Sequence, residues 1–333
     1  MITDSKPSIL PSVKRLNSVE LYCSEYVMNA RFVYQAFDLT GEYDWVYDQT
    51  LYSIFSLFTS HGWTELPAGT SVTVFTDRPE RFEPLTELLD IQLLDEERIL
   101  RGMGSTRFIH RLKLDLLAQA ADGTTVPLIY LDGDTWLLSS FESHLRSISP
   151  SVSLMHTPES RVSEVENTVV KKAVGQIPQS YLPSGYQPES TMLYNAGLIG
   201  LHPSQFSLID DAIRLTDCGT EFGYSHVWEQ FAVSVMLDNA TQVAAADDVV
   251  FHYWSQREQY NAMISELLGA IRARGLEAES AIHYVQENPI SILSEKRVSS
   301  LKRVWKRALG QSKVVAARMQ DSINAVQASR KAS

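Results

Sequence analysis

Cysteine is nearly missing from this 333-residue chain. The two present, Cys23 and Cys218, cannot build a disulfide framework and lack the spacing of a structural zinc site. A reducing, cytoplasmic compartment is therefore the expectation. Long apolar runs are also lacking. None approaches the roughly 18 residues that span a bilayer, and the opening stretch MITDSKPSILPSVKRLNS has no apolar core of the signal-peptide kind. Glycine (16) and proline (13) are too scarce for collagen or a Pro-rich linker protein. Positive charge is in deficit, with 29 Lys and Arg against 40 Asp and Glu, and a net charge of −11 argues against a general nucleic-acid binder. What remains is 44% hydrophobic and 21% charged, the balance of a globular chain and too apolar for wholesale disorder.

The charge is unevenly spread. Residues 295–333 hold ten Lys and Arg against Glu295 and Asp321, a net of +8 that leaves −19 on the rest of a chain totalling −11. From Leu301 to Ile323 apolar residues recur at helical spacing, with Lys302, Arg303, Lys306 and Arg307 opposite them. A basic amphipathic helix of this kind suits an anionic membrane surface, so peripheral membrane contact through 301–323 is one expectation. Docking of the same stripe on the acidic body is the other.

Residues 1–18 read as a loose leader. The apolar segments VELYCSEYV and ARFVYQAFDL follow, the second a buried strand ending at Asp38. A loop, TGEYDWVYDQ, precedes a helix at TLYSIFSLFTSHG, and SVTVFTD (71–77) is a strand. A helix at RFEPLTELLD, a short strand at IQLLD and a helix at TRFIHRLKLDLLAQAA come next. VPLIYLDGDTWLL (126–138) is a buried strand that breaks at Asp132. The alternation implies a mostly parallel sheet with helices on its faces. Residues 150–190 read as irregular with one helix. TMLYNAGLIGLHP is a strand interrupted at Asn195-Ala196-Gly197, helices follow at SQFSLIDDAIRLT and HVWEQFAVSVMLDNA, and VVFHYW (249–254) is a last strand before helices dominate.

Asp132-Gly133-Asp134 is the sharpest chemical feature. Ligands of open parallel sheets bind beyond the carboxyl ends of the strands. Two carboxylates at i and i+2 on a breaking strand can turn toward one hard cation, Mn²⁺ or Mg²⁺, which also accepts diphosphate oxygens. A plain Asp-Gly turn is the bland alternative. Asn195 and Gly197 break a second apolar strand, as backbone approaching a ligand requires. Glu229 and Gln230 form a polar pair ahead of AVSVML. His252 closes the third apolar strand, where a neutral imidazole suits either a metal or a hydrogen-bonded core.

In the order of these segments the chain resembles GT-A-fold, metal-dependent glycosyltransferases and is similar to their family 8-like group. VTVFTDRPE resembles the family's second strand and TRFIHRLKLDLL the helix before the metal motif. LIYLDGDTWLL resembles the hydrophobic-DxD strand, YNAGLIGLH the N-[SA]-G strand and VVFHYW the late His-bearing strand. The resemblance spans about residues 31–260. It implies a Rossmann-like mixed sheet flanked by helices, a catalytic domain over 19–260 and a helical C-terminal region over 261–333. It implies that Asp132, Asp134 and His252 hold Mn²⁺ or Mg²⁺ on the diphosphate of a nucleotide-sugar donor, with a UDP-sugar favoured. Gly133 lies with them on the donor side. Arg111 or Lys113 contacts donor phosphate or sugar, and Asp38 and Asp77 face the nucleotide's base and ribose. Asn195 and Gly197 line the sugar pocket, and Glu229 or Gln230 touches sugar hydroxyls or the acceptor. The family continues its late strand into a Gly and a Lys near the phosphates; this chain continues Ser255-Gln256-Arg257, so that role passes to Arg257. The loop after the first strand is longer and more aromatic, and Tyr43, Trp45 or Tyr47 is placed to stack on a base or to pack. The implied activity is hexosyl transfer to a saccharide or lipid-linked acceptor, in cell-envelope polysaccharide synthesis.

LIYLDGDTWLL also fits haloacid-dehalogenase-like phosphatases, in which Asp132 is the nucleophile, Asp134 the acid/base and Thr135 the orienter, with Thr157, Lys171, Lys172 and Asp247-Asp248 as later candidates. That motif normally sits on the first strand, and this reading leaves Asn195, Gly197 and His252 without a role.

Overall fold

The computed structural model describes residues 29–293. The expected leader, the segment VELYCSEYV and the basic tail lie outside the described residues. The first half runs β1 (Arg31–Ala36), α1 (Trp45–His61), β2 (Ser71–Thr76), β3 (Asp90–Leu93), α2 (Glu96–Gly102), α3 (Arg111–Ala121), β4 (Leu128–Leu131) and β5 (Thr135–Leu137). It continues with α4 (Glu142–Ser147), β6 (Val152–Met155), β7 (Pro158–Arg161), α5 (Thr168–Ala173), β8 (Met192–Tyr194) and β9 (Leu198–Leu201). The last part is α6 (Ser207–Glu221), α7 (Trp228–Ala240), β10 (Gln242–Ala245), β11 (Val250–His252), α8 (Arg257–Arg274) and α9 (Ala278–Glu287).

Seven strands form one mixed sheet in the order β10-β6-β9-β4-β1-β2-β3. All its pairings are parallel except those of β9, which runs against both β4 and β6. The reversal matters for the site. It brings the beginning of β9 to the edge where β1, β2 and β4 end, so Asn195 and Gly197 arrive beside Asp132. Antiparallel ribbons β5–β11 and β7–β8 stand at this same edge.

Helices cover both faces and split the core in two. On one face α3, α6 and α7 close over Leu114, Tyr130, Ile199 and Trp228. On the other, α1, α8 and α9 close over Phe32, Phe58, Ile129 and Leu131. Helix α1 is buried on nearly every side from Tyr47 to Phe58 because it is sandwiched between the sheet and α8–α9. Its most polar buried groups are paired: Gln49 Nε2 donates to Asn261 Oδ1 (2.6 Å), and Asp48 is bridged by Arg81 (3.3 Å) and Arg272 (2.6 Å). Helix α8 runs through residue 260 without a break.

Several segments differ from expectation: the helix expected from Thr106 starts only at Arg111, and α2 falls where the sequence predicts no element. The aromatic loop after β1 is shorter than the sequence implies, because helix starts at Trp45 and buries Tyr47 in the α1 face. RFEPLTELLD is not an α-helix but two short 3-10 turns, Pro79–Phe82 and Thr86–Leu88. Pro84 disfavours a helical Glu83 and donates no hydrogen bond. The stretch 150–190 carries strands β6 and β7, four residues each, too short for an alternation to show.

Candidate metal and donor site

Strand β4 is apolar throughout because the sheet is covered on both faces. It ends at Asp132, whose N–H still donates to the Gly197 carbonyl (2.9 Å) ahead of β9. Gly133 then carries the chain against α1, where a Cβ would fall 2.4 Å from Thr50 Oγ1, so only glycine fits. Thr135 closes the turn: its N–H (3.1 Å) and its hydroxyl (2.7 Å) both donate to the Asp132 carbonyl. In the β5–β11 ribbon Thr135 pairs with His252. Asp132, Asp134 and His252 thereby offer three ligand atoms within 4.8 Å of one another, the one such group of three among the described residues.

The imidazole is oriented for a cation. The Gly197 N–H donates to Asn195 Oδ1 (2.9 Å), which makes that atom the amide oxygen. His252 Nδ1 lies 3.0 Å from the same oxygen and must carry the hydrogen that bridges them. Nε2 is left facing Asp134 Oδ1 at 3.1 Å. A lone pair pointed at a carboxylate is repulsive unless a proton or a metal ion lies between. A metal-binding histidine usually donates its other ring N–H to an oxygen acceptor, the part Asn195 Oδ1 plays here. The 3.1 Å separation also suits neighbouring ligands of an octahedral ion, about 3 Å apart for bonds slightly over 2 Å. Two carboxylates and one imidazole are a donor set for Mn²⁺ or Mg²⁺, so the residues present fit the implied metal. Gly197 is sterically required here too, since a Cβ on it would meet His252 Nδ1 at 2.6 Å.

Two cations flank the carboxylates. Lys113, on the first turn of α3, reaches Asp132 (Oδ1 3.0 Å, Oδ2 3.2 Å), donates to the Ala196 carbonyl (3.1 Å) and ion-pairs with Glu229 Oε1 (3.1 Å). Its side chain is 6% exposed and that of Glu229 is 4%. Burial alone would discharge Lys113, but the two carboxylates outweigh it and hold the ammonium above its ordinary pKa. Burial pushes Glu229 up against the pull of Lys113. Tyr130 donates from its hydroxyl to Asp132 Oδ1 (2.9 Å). Arg257, at the start of α8, binds Asp134 Oδ2 through Nη2. Burial would raise the Asp134 pKa, yet His252 and Arg257 together hold its carboxyl well below the usual range. Burial likewise lowers the His252 pKa, and Asp134 more than reverses this.

The other expected residues fall in different places. Arg111 points away from the carboxylates and is tied to Asp217 Oδ1 (2.6 Å) and the Gly102 carbonyl (2.6 Å), so of the pair it is Lys113 that reaches Asp132. Asp38 accepts from the Thr40 N–H (2.9 Å), its hydroxyl (2.7 Å) and the Tyr43 N–H, and so shapes the loop after β1. Asp77 accepts from Tyr47 Oη (2.7 Å) and from the Asp38 N–H (3.3 Å). Gln230 donates to Glu159 Oε2 (2.7 Å), and Asn195 Nδ2 donates to Glu159 Oε1 (3.3 Å). Glu159, Tyr130 and Thr50 escape a reading of the sequence. Glu159 lies in the featureless PESR strand, and the other two are ordinary members of apolar runs. Trp45 packs on Tyr43 (5.8 Å) and carries Arg257 over its ring at 5.3 Å. Of the phosphatase candidates, Thr157 donates to Asp247 Oδ2 (2.7 Å), Lys171 and Lys172 are exposed on α5, and the cation on Asp132 is Lys113.

No protein-family model and no curated protein matches the chain. Among solved structures it is similar to a galactosyltransferase, LgtC, in complex with donor and acceptor sugar analogs (12% identity over 64% of this chain and 73% of that one, TM-score 0.43). It is similar to mouse xyloside xylosyltransferase 1 (12% identity, 71% and 92%, TM-score 0.43). It is also similar to the glycosyltransferase GlyE of Streptococcus pneumoniae TIGR4 (10% identity, 81% and 66%, TM-score 0.44). Likenesses of this depth assign no residue a role, and no helix among the described residues is long and apolar enough to cross a membrane.

Proposed function

We propose that this chain is a glycosyltransferase that moves a sugar from a nucleotide-diphosphate donor, a UDP-sugar by preference, to a saccharide or lipid-linked acceptor. The observation that carries the reading is the convergence of Asp132, Asp134 and His252, with His252 Nε2 turned inward by Asn195. A bound divalent cation, Mn²⁺ or Mg²⁺, supplies charge to offset the negative charge that develops on the departing nucleotide diphosphate. Lys113 holds Asp132 in place and adds a positive field next to it. Arg257 is the side chain for donor phosphate, with a planar guanidinium suited to paired oxygens. Gly133 and Gly197 keep the floor of the site low. Asp77, with Asp38 shaping the loop beside it, takes the ribose and base. Asn195, Gln230 and Glu159 line the sugar side, where Gln230 has exposed polar surface for sugar or acceptor hydroxyls and Glu229 acts through Lys113. A cell-envelope polysaccharide made at the cytoplasmic face of a membrane is the setting we propose. The basic, apolar-periodic sequence 301–323 supports it, and loss of liposome binding on its removal tests it.

The reading is tested by thermal melting with UDP, GDP and CMP and their sugars, each with and without Mn²⁺. A ligand that binds only the folded state raises the midpoint. A Mn²⁺-dependent rise with one nucleotide family, absent in Asp134→Ala, is expected. No rise with any of them, together with Mg²⁺-dependent cleavage of a simple phosphomonoester, would replace this reading with the phosphatase.

A further inference from the structure

Arg257 is doubly engaged. Its Nη2 binds Asp134 Oδ2, the carboxylate that also faces His252, and its guanidinium lies over the Trp45 ring at 5.3 Å. The indole perch and the carboxylate together fix the guanidinium beside the three ligand atoms. Yet the group is not used up. Its side chain remains 40% exposed, and its Nε–H has no hydrogen-bond partner. Asp134 itself is 9% exposed, so the attraction acts in a space that water screens poorly.

Two positive charges then want one buried carboxylate. A divalent ion seated on Asp134 and His252 has the guanidinium as a like-charged neighbour and must also loosen its hold on Asp134. A diphosphate reverses the sign of that relation. It brings negative oxygens to the ion and gives the exposed part of the guanidinium planar partners of its own. The opposing cation becomes a helper only when the nucleotide is present.

We propose that Arg257 is the internal counter-cation of Asp134 and couples metal to nucleotide: it opposes a divalent cation that binds alone and favours one that binds with a nucleoside diphosphate. The inference rests on the metal site proposed above. Linkage makes the coupling reciprocal, so the factor by which the nucleotide tightens the metal equals the factor by which the metal tightens the nucleotide. A residue that merely supported Asp134 as a metal ligand has the opposite signature, because its loss would weaken the metal in every state. The sign of one affinity change therefore separates the two roles.

The experiment is calorimetric titration of the full chain with Mn²⁺ alone, and with Mn²⁺ in the presence of saturating UDP or GDP, whichever gives the larger melting shift. The proteins compared are the natural one, Arg257→Met and Arg257→Lys, each first checked for an unchanged circular-dichroism melt. Arg257→Met is expected to bind Mn²⁺ alone about 5-fold or more tighter than the natural protein and to lose most of the nucleotide's tightening effect. Arg257→Lys, which keeps the charge, is expected to keep the weak binding of Mn²⁺ alone. Mn²⁺ binding alone that is unchanged or weaker in Arg257→Met overturns the inference while leaving the metal site standing. No Mn²⁺ binding by the natural protein with or without nucleotide overturns the metal site and the inference together.

Discussion

Gly197 and His252 are in contact at a distance that no side chain tolerates: a Cβ on Gly197 would lie 2.6 Å from His252 Nδ1 and 3.0 Å from Asn195 Oδ1. The glycine thus sets the position of the imidazole and of the amide that gives it its tautomer. Gly197→Ala is expected to push the ring off Asn195 and to weaken Mn²⁺ binding about 10- to 100-fold, the usual loss when the support of a metal ligand is removed. Folding should suffer less, since Gly197 adopts no left-handed backbone and the clash is with one ring. Calorimetry with Mn²⁺ and a urea melt of the same variant check both halves. A strong melt defect with intact metal binding would sink the assignment.

Lys113 is the single cation between two carboxylates, and its removal should be worse than removal of either. Lys113→Met leaves Asp132 and the buried Glu229 without their shared counter-charge, and an uncompensated buried charge costs about 3–5 kcal/mol. Glu229→Gln keeps Lys113 on Asp132 and keeps the shape of the side chain, so a loss of about 1–2 kcal/mol is expected. Urea unfolding of the two variants checks the order. Equal losses would mean that Lys113 is held by Glu229 alone and that Asp132 gains nothing from it.

How much of this was legible follows from what each residue type can announce. Asp132 and Asp134 are conspicuous because two charges end an apolar run, and His252 and Asn195-Gly197 are conspicuous for the same reason. Their convergence depends on the reversal of β9, which no local pattern in LIGL encodes. Arg111 and Lys113 look alike in sequence. Two residues is about 200° of helix, so only one of them can turn to Asp132, and the choice is made by where α3 lands on the sheet. Glu229 reads as a surface polar residue, but its helix α7 is buried along that side and the charge survives there only because Lys113 meets it. Strands β6 and β10, four residues each, are fixed by pairing across the sheet rather than by their own pattern.

The folded chain should lose stability as pH falls from about 6.5 to about 4. Burial, reinforced by Lys113 and His226, lowers the His110 pKa to about 4, and burial also lowers His61 and His156. Below about 6.5 the unfolded chain takes up protons at these positions that the folded chain refuses, so unfolding is favoured until the folded pKa is reached. His252 works the other way. Its raised pKa lends stability below about 6.5 that is lost as pH rises through the folded value. For His110 the shift corresponds to at most about 3 kcal/mol. Melting His110→Gln between pH 7 and pH 4 checks this: the variant should lose less stability over that interval than the natural chain, and a parallel fall would discard the idea.

The turn of the Asp132-Gly133-Asp134 motif is built against α1, and one atom defines the fit. Thr50 is 1% exposed and its Oγ1 would be 2.4 Å from a Cβ at Gly133, with the Thr50 amide nitrogen at 3.4 Å. Gly133→Ala is therefore expected to overpack this contact, at a cost of about 1–3 kcal/mol, and to tilt both carboxylates away from His252. Thr50 Oγ1 donates chiefly within its own helix, to the Val46 carbonyl (2.9 Å), with the Gln35 carbonyl of β1 a longer second acceptor (3.4 Å), so its loss alone is expected to be mild. If the clash is the whole defect, Thr50→Ala should rescue Gly133→Ala, because the β-carbon then enters the space the hydroxyl leaves. A double-mutant cycle in urea should give an interaction energy of about 1 kcal/mol or more in the compensating direction, and Mn²⁺ affinity should recover with it. Rescue of stability without rescue of Mn²⁺ binding would show that Gly133 serves the cation through backbone geometry rather than through space. Failure of both would move the cause of the defect away from Thr50.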